Sequence, residues 1–187
     1  MYKSINFFVN PFASIRDYAM VVIDMQPSFL FGSNSMDRKD RKQVDKVCLW
    51  QEGVIQDYRM TSKRPVIFVE YDNGFGKFGD SVLGVRLGDI KIKKGFDDAT
   101  LSNLFSNIQD TEKPNDLVEV LNRLSVNDVA VLGCNADACV LDTIASLRQK
   151  KFEVHTSREG LLSQGSDPMR LEYAITQYQE LGAHILL

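Results

Sequence analysis

Histidine is scarce in this 187-residue chain, with only His155 and His184 present. That scarcity excludes an HExxH site and other histidine-rich metal centres. The three cysteines, Cys48, Cys134 and Cys139, are odd in number and form no CxxC pair. Neither a disulfide framework nor a cysteine-based zinc site is expected. No apolar run is long enough to span a bilayer. Asn6, Asn10 and Pro11 interrupt the N-terminal residues before a signal-peptide core develops. A basic excess is missing too: the formal charge is −3, which argues against nucleic acid or an anionic membrane surface as partner. Internal repeats, low-complexity tracts and a clear linker are also absent. The expectation is a single domain over residues 1–187, with 1–18 as an N-terminal arm. A cytoplasmic setting, where thiols stay reduced, fits the cysteine usage.

What is present is an alternation of strands and helices. Ala19-Met-Val-Val-Ile-Asp24 is a continuous apolar run closed by a carboxylate, the pattern of a strand buried on both faces. Met25 to Phe29 reads as a loop, with Pro27 blocking continuation. Ser35 or Asp37 is the expected cap of a long helix reaching Arg59 to Ser62. Further strands are expected over residues 65–71, 89–93, 129–133, 152–156 and 183–187. Helices are expected over 98–107, 114–124, 138–149 and from Asp167 to Gly182, the last with Pro168 in its first turn. This alternation implies a doubly wound α/β fold, a three-layer sandwich around a mainly parallel sheet, for which the common order 3-2-1-4-5-6 is assumed.

In such a sheet, ligands bind beyond the carboxyl ends of the strands, where strand order reverses. Strands one and four are neighbours there. Asp24 ends the first, and Cys139 follows the fourth after a polar turn. A thiol at a helix start faces unpaired N–H groups and the positive end of the helix dipole, which favours thiolate. A carboxylate beside it takes and returns a proton, and a cation is needed to hold both anions. Lys94 is the candidate, with Lys93 and Lys91 as competitors. Backbone N–H groups around Ala138 and Cys139 are the expected oxyanion donors. Cys134 and Cys48 read as structural. The Gly74-x-Gly76-x-x-Gly79 run matches a dinucleotide fingerprint in letters only, because no helix is expected after it. His155 and His184 read as structural and too far apart in sequence for a metal site.

Taken together, these residues resemble the isochorismatase-like cysteine hydrolase superfamily over most of 19–187. Val22-Ile-Asp24-Met-Gln26 is similar to the opening D-x-Q motif. Gly133-x-x-Ala-Asp137-Ala-Cys139-Val140-x-x-Thr143 resembles the segment G-x-x-T-D-x-C-V-x-x-T. Lys94-Gly-Phe-Asp-Asp-Ala99 resembles K-x-x-x-S-A. The resemblance implies a six-stranded parallel sheet and an Asp24–Lys94–Cys139 triad that cleaves amide or ureido C–N bonds through a thioester. It also implies a cis peptide at Cys134-Asn135 that aims N–H groups at the oxyanion. Gln26 and Asp137 within the motifs, and Phe29 and Phe75 in the flanking loops, are the expected substrate contacts. A small-molecule substrate and a homo-oligomer, dimer or tetramer, are implied as well. Nicotinamidase-type members carry histidines where this chain reads Asp72-Asn-Gly-Phe-Gly76, so no metal or other cofactor is expected. Ala136 replaces the usual threonine and Asp98 the serine. These departures also admit a descendant that keeps the fold for ligand binding or assembly.

Overall fold

The computed structural model describes residues 9–32, 39–72, 78–95, 97–100 and 117–187. Their backbone forms strands β1 (Tyr18–Ile23), β2 (Val66–Tyr71), β3 (Ile90–Lys94), β4 (Asp128–Cys134), β5 (Glu153–Ser157), β6 (Leu161–Leu162) and β7 (His184–Leu186). The helices are α1 (Pro27–Phe31), α2 (Arg41–Thr61), α3 (Leu117–Arg123), α4 (Leu141–Gln149) and α5 (Pro168–Glu180). The sheet runs β3-β2-β1-β4-β5-β7, and every pairing is parallel. This is the expected order, with one addition. The two-residue β6 pairs with the end of β4, Gly133 opposite Leu161 and Cys134 opposite Leu162.

β1 shows why the continuous apolar run was needed. Tyr18, Met20 and Val22 face a core shared with Val44, Val54 and Tyr58 of α2. Ala19, Val21 and Ile23 face the opposite core, filled by Leu117, Ile144 and Tyr178 from α3, α4 and α5. Strand periodicity of two thus feeds both faces of a three-layer sandwich. Five of six β2 residues are buried in the same way.

Several local expectations are corrected. Pro27 does not hold a loop; it occupies the first turn of the short helix α1, where a missing N–H costs nothing. The cap of α2 is Asp40, whose carboxylate accepts from Gln43 N at 3.1 Å. Ser35 and Asp37 lie outside the described residues, as do most of the expected helix over 98–107 and the first residues of the one expected over 114–124. The arm contains a 3-10 turn, Pro11–Ser14, that plugs Phe12 completely into the core. His155 and His184 are not apart: they face each other across β5 and β7 with rings stacked 4.9 Å between centroids.

Gly133 lies where β4 meets β1. Its φ of 139° suits glycine alone, and a Cβ there would sit 2.2 Å from the carbonyl oxygen of Ile23.

Candidate active site

Asp24 follows β1 directly, with a φ of 50°, a left-handed conformation that non-glycine residues seldom hold and aspartate tolerates better than most. Three contacts pin it there. Its N–H donates to Val69 O at 2.9 Å, and its carbonyl accepts from Gln26 N at 2.8 Å and from the Cys134 thiol at 3.0 Å. The side chain is buried and pairs with Lys94, whose Nζ lies 2.8 Å from Oδ2. Both partners are almost completely excluded from solvent.

The competition among lysines is resolved by strand alternation. Lys94 turns inward at the end of β3. Lys93 turns out and pairs with Asp72 at 3.0 Å, and Lys91 pairs with Asp80 at 2.9 Å. Lys94 Nζ also donates to Asp97 O at 2.7 Å and lies 5.9 Å from the centre of the Tyr71 ring.

Cys139 lies in a five-residue π-helical turn, Ala136–Val140, rather than at the start of a regular α-helix. The bond that defines the turn is Val140 N to Asn135 O, 3.1 Å. Regular helix begins only at Leu141. Thr143 Oγ1 donates to Cys139 O at 2.7 Å and accepts from Ala99 N at 3.1 Å, tying this turn to the segment after β3. The Cys134–Asn135 peptide is cis.

The expectation of a ready thiolate is corrected. Burial pushes the Cys139 thiol well above its ordinary value, the Asp24 carboxylate adds to the rise, and Lys94 only partly opposes it. Desolvation and a neighbouring anion thus outweigh a favourable helix position. Burial likewise raises Asp24, against the pull of Lys94 and the Cys139 thiol. Burial alone would lower Lys94, but its acidic neighbours Asp24 and Cys139 reverse the sign and raise it. Burial thus favours the protonated thiol at Cys139, while Asp24 and Lys94 stay paired at 2.8 Å.

Other expected site residues have different placements. The Ala138 N–H is committed to Asn135 O at 3.1 Å, so it is not an available oxyanion donor. Gln26 is buried and spends its amide on structure: Nε2 donates to Tyr71 O and Gly79 O, and Oε1 accepts from Tyr71 N at 2.7 Å. Asp137 accepts from Gln164 N at 2.8 Å and pairs with Arg170 at 2.7 Å, tying the turn to the start of α5. Phe29 stacks on Phe78 with 5.5 Å between centroids and meets Tyr71 edge-on. Phe75 lies outside the described residues. A cavity of about 200 Å³ opens beside this aromatic group, lined by Gln26, Tyr71, Phe78, Asp80 and Lys93.

Two neighbours of the site went unnoticed in the sequence. Lys39 is buried just before α2 and donates to Asn135 Oδ1 at 2.6 Å. Asp97 brings Oδ1 within 3.6 Å of Cys139 Sγ. Nothing in the lettering separates Asp97 from Asp98. The structure does: Asp98 turns away to accept from Thr100 N and Ser146 Oγ.

Cys134 is structural and fully buried, and burial pushes its thiol up to about 12 from 9.0. An unfolded thiol ionises first, so this residue's contribution is complete below pH 9.0 and is lost as pH rises toward about 12. The unfolding free energy from urea titrations should therefore fall more steeply between pH 9 and 11 in the wild type than in Cys134→Ala, by up to about 1.4 kcal/mol per pH unit. Parallel slopes would refute it.

A family model of the isochorismatase domain matches residues 18–186. No curated protein matches the sequence. An isochorismatase-like hydrolase from Alkaliphilus metalliredigens superposes with a TM-score of 0.72 at 16% identity, covering 91% of this chain and 94% of that one. A nicotinamidase from Staphylococcus aureus gives 0.67 at 18%, covering 90% and 97%. N-carbamoylsarcosine amidase from Thermoplasma acidophilum gives 0.65 at 20%, covering 91% and 96%. At these identities the likenesses establish a shared fold, and the family match over nearly the whole described core goes further. The chain belongs to the isochorismatase domain family.

Proposed function

We propose that the protein is a cysteine hydrolase that cleaves a small amide or ureido C–N bond without a metal ion. The observation that carries this reading is the buried Asp24–Lys94 pair set beneath the Cys139 thiol at the carboxyl edge of the sheet. A carboxyl group paired with one lysine, next to a thiol that burial holds in its protonated form, is suited to general-base rather than ion-pair activation.

In the proposed reaction the Cys139 thiol passes its proton to Asp24 as sulfur attacks the substrate carbonyl carbon. A C–S bond forms and the carbonyl oxygen becomes an oxyanion. The backbone N–H groups of Asn135 and Cys139 are assigned to that oxyanion, with Ala138 excluded. The tetrahedral species collapses as Asp24 returns the proton to the departing nitrogen. Water then attacks the thioester, gives a proton to Asp24, and the thiol is regenerated. Lys94 stays protonated throughout, and its upward shift favours that state. The cavity beside Tyr71 and Phe78, which also presents the polar groups of Glu70, Asp72, Asp80 and Lys93, is assigned to the substrate's non-reacting portion.

Iodoacetamide, an electrophile with an amide head, should give a one-adduct mass increase that maps to Cys139 and disappears in Cys139→Ala. Labelling unchanged in that variant would sink the assignment.

A further inference from the structure

Asp97 takes no part in the proton relay proposed above, yet it approaches the same sulfur. Asp24 reaches Cys139 from the buried side. Asp97 reaches it from the exposed side, with Oδ1 at 3.6 Å. Its backbone is held because its carbonyl accepts from Lys94 Nζ, so one ammonium fixes both the buried base and the outer carboxylate. Asp97 makes no ion pair among the described residues. Asp142, in the first turn of α4, feels Asp97 and Asp98 as like charges. Lys94, which holds the Asp97 carbonyl, is buried and paired with Asp24. A molecule arriving at Sγ from solvent therefore passes a carboxylate that no cation pairs among the described residues.

We propose that Asp97 is a specificity-determining residue. Its carboxylate accepts a hydrogen bond from the nitrogen side of the scissile bond, and it restricts Cys139 to neutral or cationic amide-like substrates. A substrate with a carboxylate or phosphate beside its carbonyl is repelled. This inference rests on the function proposed above, which makes Cys139 the attacking atom. The physical basis is Coulombic: in a partly wet site, reagents of opposite charge differ in rate by about tenfold or more at such range.

Two methanethiosulfonates test it, one carrying a trimethylammonium and the other a sulfonate group. Each transfers its thiol portion to sulfur as a disulfide and expels methanesulfinate, so the chemistry is the same and only the charge differs. Rates are read at Cys139 by peptide mapping and normalised to those of free cysteine. The cationic reagent should be favoured about tenfold or more in the wild type. The ratio should fall toward that of free cysteine in Asp97→Asn and persist in Asp97→Glu. Because both reagents meet the same thiol, a change in its acidity cancels in the ratio. Labelling of Cys139 with a ratio unmoved by Asp97→Asn overturns the role of Asp97 alone. Failure of both reagents to label Cys139 overturns the nucleophile assignment as well.

Discussion

Lys94→Met should cost about 3–5 kcal/mol of folding stability at pH 7, because it leaves a buried carboxylate with no counter-charge. Lys94 and Asp24 are excluded from solvent to within 1%, so water cannot take the place of the ammonium. Asp24 escapes only by taking a proton. For a group ordinarily ionising at 3.8, that costs about 4 kcal/mol at pH 7 and about 1.4 kcal/mol less for each unit the pH falls. In the variant the carboxyl has a strongly raised folded-state pKa, so its favourable contribution is present below the ordinary value and is lost as pH rises. Burial already raises Asp24 in the wild type and loss of Lys94 raises it further, so the deficit relative to wild type should shrink as pH falls and be largest at neutrality. Urea unfolding at several pH values reads this directly. A second variant carrying both Lys94→Met and Asp24→Asn should recover much of the loss and lose the pH dependence. A pH-independent loss in the single variant would mean that packing of the lysine stem, not its charge, matters.

The second large effect has opposite signs in two assays. Asp24→Asn preserves shape and tolerates the left-handed backbone at this position. It removes the anion that helps hold the Cys139 thiol up and leaves Lys94 facing the sulfur. The pH midpoint for alkylation of Cys139 should therefore move down, and alkylation at pH 7 should become faster. Ammonia release from small primary amides should instead fall by about 10²–10⁴-fold, because the departing nitrogen loses its proton donor. Hydrolysis needs that proton and alkylation does not. Retained ammonia release in Asp24→Asn would remove Asp24 from the chemistry. An unmoved alkylation midpoint would remove it from the electrostatics.

How far the sequence shows these features depends on the range of the physics. β1, β2 and β4 are legible because a strand buried on both faces must be apolar throughout, and the alternation of elements implies a doubly wound sheet, though its strand order has to be assumed. Asp24 is legible because a carboxylate closing such a strand needs a partner. The choice among Lys91, Lys93 and Lys94 depends on which face of β3 turns inward, which short alternating sequence leaves open. The cap of α2 is similar. Ser35, Asp37 and Asp40 all have capping side chains, and the N–H of Asp40 is held by Ser166 Oγ at 3.0 Å from far along the chain. The thiolate expectation failed for the same reason. Helix position is local and visible in the sequence, whereas burial and the approach of Asp24 are products of the fold.

The glycine at the β1–β4 seam gives the site a particular robustness. Gly133 has no side chain, and Ile23 lies against it backbone to backbone, so nothing replaceable separates the strand that carries the carboxylate from the strand that leads to the thiol. The spacing of these two groups is therefore set by hydrogen-bond register rather than by side-chain volumes. Drift in the two apolar cores can change how the helices settle against the sheet without resetting that spacing. Reactive geometry and hydrophobic packing are, along this one seam, free to evolve separately.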